Sequence, residues 1–123
     1  MLRRIENGLE SGWPDVYGIK NGVSVWVELK APEEPKRSTT RLMSGNHELS
    51  REQRNWHMEH CQAGGNSWIL IETDQQAMLV HGIWADRIND LSAQQLANLS
   101  NAFCVRPTNQ NFWDSVSRAI FKC

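Results

Sequence analysis

The chain has 123 residues, about the length of one domain, with 40% hydrophobic and 22% charged residues, as in a folded protein. No apolar run approaches the roughly 20 residues that span a bilayer, and no apolar stretch follows residues 1–4. These features argue against a membrane protein and a cleaved signal peptide. Three cysteines, an odd number, favour free thiols in a reducing cytoplasm.

The net charge of −1 gives no sign of a nucleic-acid partner, but the distribution of charge is informative. Five basic residues and only two acidic ones lie between positions 36 and 54. Serine, threonine and proline surround them, which favours a segment that binds a phosphate backbone, although solubility is a simpler alternative. The candidate DNA-binding residues are Lys36, Arg37, Arg41, Arg51 and Arg54.

The predicted elements begin with two strands at residues 15–19 and 23–30. They are joined by Asn21-Gly22, the strongest short-range hairpin signal. Apolar and polar residues alternate along the second strand, so we expect its polar set to lie on a solvent-facing side. Residues 32–49 are polar and contain two prolines, which predicts a long mobile loop.

A helix is expected to begin after Ser50, because Ser50 and Gln53 fit a capping box, and to end at Gly64-Gly65. Strands at 67–73 and 77–81 follow, and then helices at about 92–102 and 109–122. The order predicts one α/β domain with a central mixed β-sheet flanked by helices. Its core is expected at about 1–82 and a C-terminal helical extension at about 83–123.

The two-residue turn fixes the register of the hairpin and pairs Asp15 with Glu28, with Cβ atoms about 5 Å apart. Two like charges at this distance repel, and a divalent cation between them would reverse that effect. Hard oxygen ligands suit Mg²⁺ or Mn²⁺. Lys30 projects from the same face about 7 Å further on, where it could orient water or stabilise charge on a phosphate. Alternating polar residues are also typical of a merely solvated strand.

Gly12-Trp13-Pro14-Asp15, Glu28-Leu29-Lys30 and the downstream Gln53, in this order, resemble the PD-(D/E)XK nuclease superfamily. Within it they are most similar to the VRR-NUC group and related small phage nucleases. The resemblance covers roughly residues 3–73. It implies a restriction-endonuclease-like core in which Asp15, Glu28 and the carbonyl of Leu29 bind the metal. It also implies that Lys30 acts on the water or phosphate, with Gln53 facing the same site.

Such families carry an earlier glutamate on a first helix, and Glu6 is its best match, as a metal ligand and catalytic residue. Only five residues precede Glu6, too few for that helix, which favours a homodimer or replacement by the C-terminal helices. Gln53 is also the N3 residue of the capping box, and we expect one rotamer to serve either the cap or the site, but not both.

Several other side chains have two interpretations. Trp13 and Trp26 flank the motif residues and could stack on a splayed base, or be covered by a helix or a partner. His57, His60 and Cys61 have helical spacing but no evident fourth ligand, so core packing is favoured over zinc.

The sequence therefore predicts a Mg²⁺-dependent endodeoxyribonuclease, with Mn²⁺ as a substitute, in a bacterial or phage-infected cytoplasm. It would act on branched or junction DNA rather than on a specific sequence. The alternatives are a DNA-binding or scaffold module that retains the fold without catalysis, and a structural protein with a fortuitous motif.

Overall fold

The computed structural model describes the backbone of residues 2–4 and all of residues 12–121. It shows a mixed α/β protein with a six-stranded sheet. The strands are β1 (Leu2–Arg4), β2 (Val16–Lys20), β3 (Val23–Lys30), β4 (Ser67–Glu72), β5 (Gln76–His81) and β6 (Ala102–Val105). The helices are α1 (Arg51–Gln62), α2 (Ala93–Leu99) and α3 (Gln110–Ile120), with short 3-10 turns at Gly45–His47, Gly82–Trp84 and Ile88–Asp90. Within the described ranges, no helix is long and apolar enough to cross a membrane.

The strands lie in the sheet in the order in which they occur in the chain. Each pair of neighbours is antiparallel except β3 and β4, which are parallel. A parallel pair needs a crossover connection, and residues 31–66 with α1 provide it. The prediction of a mixed sheet flanked by helices is confirmed.

The β2–β3 hairpin turns at Asn21 and Gly22, whose φ angles of 51° and 80° are both positive, as a tight type I′ turn requires. Val16 pairs with Val27 and Tyr17 pairs with Trp26, which confirms the predicted register. Asp15 therefore lies immediately before β2, next to the C-terminal end of β3.

Two apolar cores cover the two faces of the sheet. On one face Val25, Val27, Trp68 and Leu79 pack with Phe112 and Val116 of α3. On the other face Ile69, Ile71, Met78 and Val80 pack with Leu42, Met43, Leu49 and Leu96. Glu28 is in register with Ile69, so the Trp26, Glu28 and Lys30 side chains lie on this second face, beneath α1.

Residues 32–49 form a long loop with one 3-10 turn, as predicted, but several of its residues pack against the rest of the protein. Leu42 and Met43 are 1% and 0% exposed because they fill the second core. Nearer the start of the segment, the Glu34 carboxylate accepts hydrogen bonds from Thr73 Oγ1 at 2.7 Å and Gln76 Nε2 at 2.8 Å. The segment is thus held at the β4–β5 corner and again by its own apolar residues.

The predicted C-terminal helical extension contains two helices and also a strand. The helix expected at 92–102 ends at Leu99, and Ala102–Val105 instead form β6, antiparallel to β5. Four residues with buried Ala102 and Cys104 alternating with exposed Phe103 give too short a pattern to identify a strand. The final predicted helix is confirmed as α3, capped by Asn109.

Candidate active site

Asp15 and Glu28 meet at the open end of the hairpin. Asp15 Oδ2 accepts a hydrogen bond from the backbone amide of Leu29 at 2.9 Å, and the Asp15 carboxyl also hydrogen-bonds with the Glu28 side chain. Glu28 is only 2% exposed, so the prediction that this carboxylate faces solvent is wrong. The physical reason is that α1 packs over this face of β3, which an alternating pattern alone cannot indicate.

The surroundings of Glu28 disfavour its negative charge. Burial raises the pKa of Glu28 to about 9, helped by the hydrogen bond that protonated Glu28 donates to Asp15 and by the charge of Asp15, and the Lys30 charge opposes this only in part. Glu28 Oε2 accepts a hydrogen bond from Gln53 Nε2 at 3.4 Å, but the buried Oε1 receives no hydrogen bond from a protein N–H or hydroxyl donor. A buried oxygen left in this way is costly, and a bound cation would satisfy it.

The donor set fits a hard divalent cation. The amide and carbonyl of one strand residue point towards the same neighbouring strand, so the Leu29 carbonyl opens on the side of Asp15, beyond the end of β2. Two carboxylates and a carbonyl are ligands of the kind that Mg²⁺ and Mn²⁺ prefer. The described part of the chain holds no group of three or more His, Cys, Asp or Glu that could bind a metal, so water or substrate oxygens would complete the coordination.

Lys30 is fixed by two acceptors on the side of α1. Its Nζ donates to the backbone carbonyl of Glu48 at 3.3 Å and to Gln53 Oε1 at 3.2 Å. Glu48 lies near the end of the loop at residues 32–49, and Gln53 lies in the first turn of α1. The ammonium group is therefore positioned by both parts of the crossover connection.

Gln53 serves the helix cap and the site at the same time, so the prediction that these contacts exclude each other is wrong. Its Oε1 accepts from the Ser50 amide at 2.9 Å as well as from Lys30, and its Nε2 donates to Glu28. Ser50 Oγ accepts a hydrogen bond from the backbone amide of Gln53 at 3.1 Å, which completes the capping box. An amide oxygen has two lone pairs and the amide nitrogen has two protons, so one rotamer satisfies every contact.

Gly12 allows the motif that ends at Asp15 to approach α1 closely. Its φ of +91° is a left-handed conformation, and a Cβ there would lie 2.7 Å from the backbone oxygen of Glu52. A glycine therefore allows the segment before Asp15 to lie against the first turn of α1. The next residue but one, Pro14, is buried.

Asn89 supports the site and was not anticipated from the sequence. Its Oδ1 accepts from the Leu49 amide at 2.9 Å and its Nδ2 donates to the Leu49 carbonyl at 3.0 Å, in a buried contact. Leu49 lies between Glu48, which binds Lys30, and Ser50, which caps α1. Asn89 lies 40 positions after Leu49 and belongs to no motif, so no sequence signal marks its contact with Leu49. The Glu48 carbonyl that binds Lys30 is equally unmarked, because every residue carries a backbone carbonyl.

The predicted DNA-binding residues lie in two places. Arg51 and Arg54 are in the first two turns of α1, the helix that carries Gln53. Lys36 and Arg37 are exposed in the segment whose Ser38 and Thr40 carbonyls accept from amides of α2. Arg41 forms an exposed ion pair with Glu48 at 3.5 Å. The other predicted residue, Glu6, lies outside the described residues.

His57, His60 and Cys61 take packing positions. His57 is fully buried and its Nδ1 lies 2.9 Å from Ser67 Oγ, while Cys61 Sγ lies 3.5 Å from the same hydroxyl. Burial lowers the pKa of His57 to about 4, so the ring is kept neutral. His60 stacks on Trp56 with ring centroids 4.5 Å apart.

Comparison with known proteins adds no assignment. A scan against protein-family models and a search of curated proteins find no match to this chain. The functional argument therefore depends on the geometry of the site.

Proposed function

We propose that this protein is a Mg²⁺-dependent endodeoxyribonuclease with a restriction-endonuclease-like core. The observation that carries the proposal is the buried Glu28 carboxyl, whose Oε1 receives no hydrogen bond from a protein N–H or hydroxyl donor, next to Asp15 in a cluster that also contains Lys30 and Gln53. A structural role alone would not require a buried carboxyl group placed against a second carboxyl group.

The topology supports the same proposal. A hairpin followed by a crossover helix and a parallel strand brings Asp15, Glu28 and Lys30 together with Gln53. These are the residues that the resemblance to PD-(D/E)XK nucleases singles out. Mn²⁺ is expected to replace Mg²⁺ because the ligands are hard oxygens.

The chain's own groups would perform three tasks. A bound Mg²⁺ supplies the positive charge that polarises a phosphodiester oxygen and lowers the pKa of water. Asp15, Glu28 and the Leu29 carbonyl would hold it. Lys30 would orient the attacking water or stabilise negative charge on the phosphate, and Gln53 would hold both Lys30 and Glu28 in position.

The substrate and assembly belong to the proposal as well. The basic residues of α1 and of the loop at residues 32–49 would bind the DNA backbone without reading its sequence, which makes binding strongly salt-dependent. We propose branched or junction DNA as the substrate and a homodimer as the active form, since a two-fold dimer presents two sites to two strands. The site of action would be a bacterial or phage-infected cytoplasm.

One observation favours an inactive DNA-binding or scaffold module as the second candidate. With the pKa of Glu28 raised to about 9, Glu28 carries a proton at neutral pH and hydrogen-bonds with Asp15. A pair closed in this way binds a cation only by releasing that proton. The two candidates therefore differ in whether Mg²⁺ displaces the proton.

Cleavage of supercoiled plasmid and of a four-way junction at low salt, with Mg²⁺, Mn²⁺ or EDTA, tests the proposal. We expect metal-dependent cutting that falls by about 10²- to 10⁴-fold in Lys30→Ala and is nearly abolished in Asp15→Asn and Glu28→Gln. Glu59→Gln, which removes an exposed carboxylate of α1, is the matched control and should cut normally. Undiminished cutting by Glu28→Gln would overturn the mechanism, and DNA binding without cutting in either metal would favour the inactive module.

A further inference from the structure

Three tryptophans, which we call the tryptophan triad, lie next to the candidate site: Trp13, Trp26 and Trp56. The ring centroids of Trp13 and Trp26 are 5.2 Å apart with an interplanar angle of 74°, and those of Trp13 and Trp56 are 5.8 Å apart. Trp26 and Trp56 are 5.6 Å apart, also edge to face. Each ring therefore contacts the other two, in geometries that aromatic quadrupoles favour.

Trp13 is the outermost ring of the triad. It is 37% exposed, whereas Trp26 and Trp56 are half-buried. Gly12 lies against α1 and Pro14 is buried, so the backbone on both sides of Trp13 is held. The result is an indole that is partly open to solvent yet fixed in orientation, and binding a ligand on it would cost little side-chain entropy.

The triad is close to the carboxylates. Trp13 is two residues before Asp15, so their Cα atoms are at most about 7 Å apart. Trp26 is two residues before Glu28 on the same face of β3, also about 7 Å away. A planar group on Trp13 would therefore lie beside the proposed metal site.

We propose that Trp13 is a stacking platform for an unpaired nucleobase of the strand whose phosphate enters the Asp15–Glu28 site. The inference rests on the proposed function and narrows its substrate class. Stacking on an aromatic ring accepts any base, because every base has a π-face, and it agrees with a site that has no element for sequence readout.

This assignment distinguishes among DNA structures. In a continuous duplex both faces of a base are covered by its neighbours, so stacking on Trp13 would require unstacking. Single strands, flaps and the unpaired bases of a branch point present a free face. The preferred substrate is therefore DNA with unpaired bases at the cleavage position rather than intact duplex.

The test measures binding in EDTA, where no metal-dependent cutting occurs. Fluorescence anisotropy would compare a labelled single-stranded 15-mer, the same oligonucleotide with abasic sites, and the matched duplex. We expect Trp13→Ala to weaken binding of the single strand by about 5- to 100-fold, with a much smaller effect on the abasic strand and the duplex. Trp13→Phe should retain most of the affinity, since it keeps an aromatic face.

Trp113→Ala is the matched control. Trp113 is 38% exposed, as Trp13 is, but it lies on α3, over the opposite face of the sheet, and its removal should leave binding unchanged. Thermal unfolding of both variants checks that they fold.

Three results would overturn the inference: no binding of the single strand by the wild type at low salt, affinity of Trp13→Ala within twofold of the wild type, or an equal loss on duplex and single strand. Because binding is read in EDTA, it is independent of cleavage. Stacking without cleavage in Mg²⁺ would refute the proposed nuclease alone, and cleavage without stacking would refute this inference alone.

Discussion

Glu28 has two oxygens in different surroundings, and this asymmetry governs the chemistry of the site. One oxygen accepts a hydrogen bond from the Gln53 side chain, and the other is buried and receives none from a protein N–H or hydroxyl donor. Without a cation, burial and Asp15 favour the protonated form of Glu28. A cation would reverse that preference by supplying the missing charge, so proton release and metal binding are coupled at this residue.

In EDTA, we expect the free energy of unfolding to decrease as the pH rises from about 6.5 to about 9. The folded-state pKa of Glu28 is about 9 against an ordinary 4.5, so across this range the folded protein retains a proton that the unfolded chain has lost. Between pH 4.5 and 6.5 the titration of His57 offsets this decrease in the free energy of unfolding. There the unfolded chain binds a proton at His57, which stays neutral in the fold because its pKa is about 4.

Thermal unfolding in EDTA between pH 5 and 9 measures this dependence. Glu28→Gln should abolish the decrease above pH 6.5, because its amide has no proton to lose. Mg²⁺ at pH 8 should raise the Tm of the wild type but not that of the variant, since ligand binding stabilises the folded state. An identical alkaline decrease in Glu28→Gln would show that another group is responsible.

At the scale of the elements, α1 joins helix capping to the site. Ser50 is the N-cap of the helix and forms a capping box with Gln53. The same box orients the side-chain amide of Gln53, which contacts Lys30 and Glu28. α2 begins with an equivalent box, formed by Ser92 and Gln95, but that box contacts no residue of the site. The two helices thus have the same capping motif, but only the capping box of α1 contacts the candidate site.

We expect Ser50→Ala and Ser92→Ala each to lower the free energy of unfolding by about 1 kcal/mol, the usual cost of a lost N-cap. Only Ser50→Ala should also reduce cleavage at temperatures where both variants are folded, because it frees Gln53 to leave Lys30. Urea unfolding and plasmid cleavage measure the two effects. Equal cleavage by the two variants would show that the cap does not position Gln53.

Elements with strong local signals were predictable from the sequence. Asn21-Gly22 predicted the hairpin and its register, so Asp15, Glu28 and Lys30 were expected together, and Ser50 with Gln53 predicted the start of α1. The expectation that Gln53 faces the same site came instead from the resemblance to PD-(D/E)XK nucleases. Those signals depend only on residues close in sequence. They therefore place side chains along an element but do not show what packs over it.

The remaining features depend on contacts between distant parts of the chain. Alternation along β3 could not show that α1 buries Glu28, and the polar surroundings of Leu42 and Met43 hid their place in the core. The contacts of Lys30 with the Glu48 carbonyl and of Asn89 with Leu49 involve backbone atoms, which no residue type announces. The tertiary structure alone determines them.

At the scale of the whole molecule, the C-terminal half supports a site built from the N-terminal half. Asn89 holds the backbone of Leu49, and the core that surrounds it includes Ile88 and Leu96. A second asparagine, Asn66, makes a similar bridge on the opposite face. Its Nδ2 donates to the Ile120 carbonyl at 2.6 Å and to the Ser24 carbonyl at 3.1 Å.

We expect Asn89→Ala to lower the free energy of unfolding by about 1–3 kcal/mol, because it leaves the buried amide and carbonyl of Leu49 unpaired. It should also reduce cleavage, since Glu48 and Ser50 flank Leu49 and position Lys30 and Gln53. Asn66→Ala is the control, with a comparable loss of stability but normal cleavage by the folded fraction. If both variants cut at the wild-type rate when folded, Asn89 serves stability alone.

The sequential order of the strands determines how the chain can fold. The β2–β3 and β4–β5 pairs close through short turns, whereas residues 82–101 separate β5 from β6 and residues 31–66 separate β3 from β4. The hairpin that brings Asp15 beside Glu28 can form on microsecond timescales, before β4 is in place. Gln53 and the Glu48 carbonyl reach Lys30 only when the crossover docks. The carboxylate pair is therefore exposed to water early, and the slower closure both buries it and completes the site.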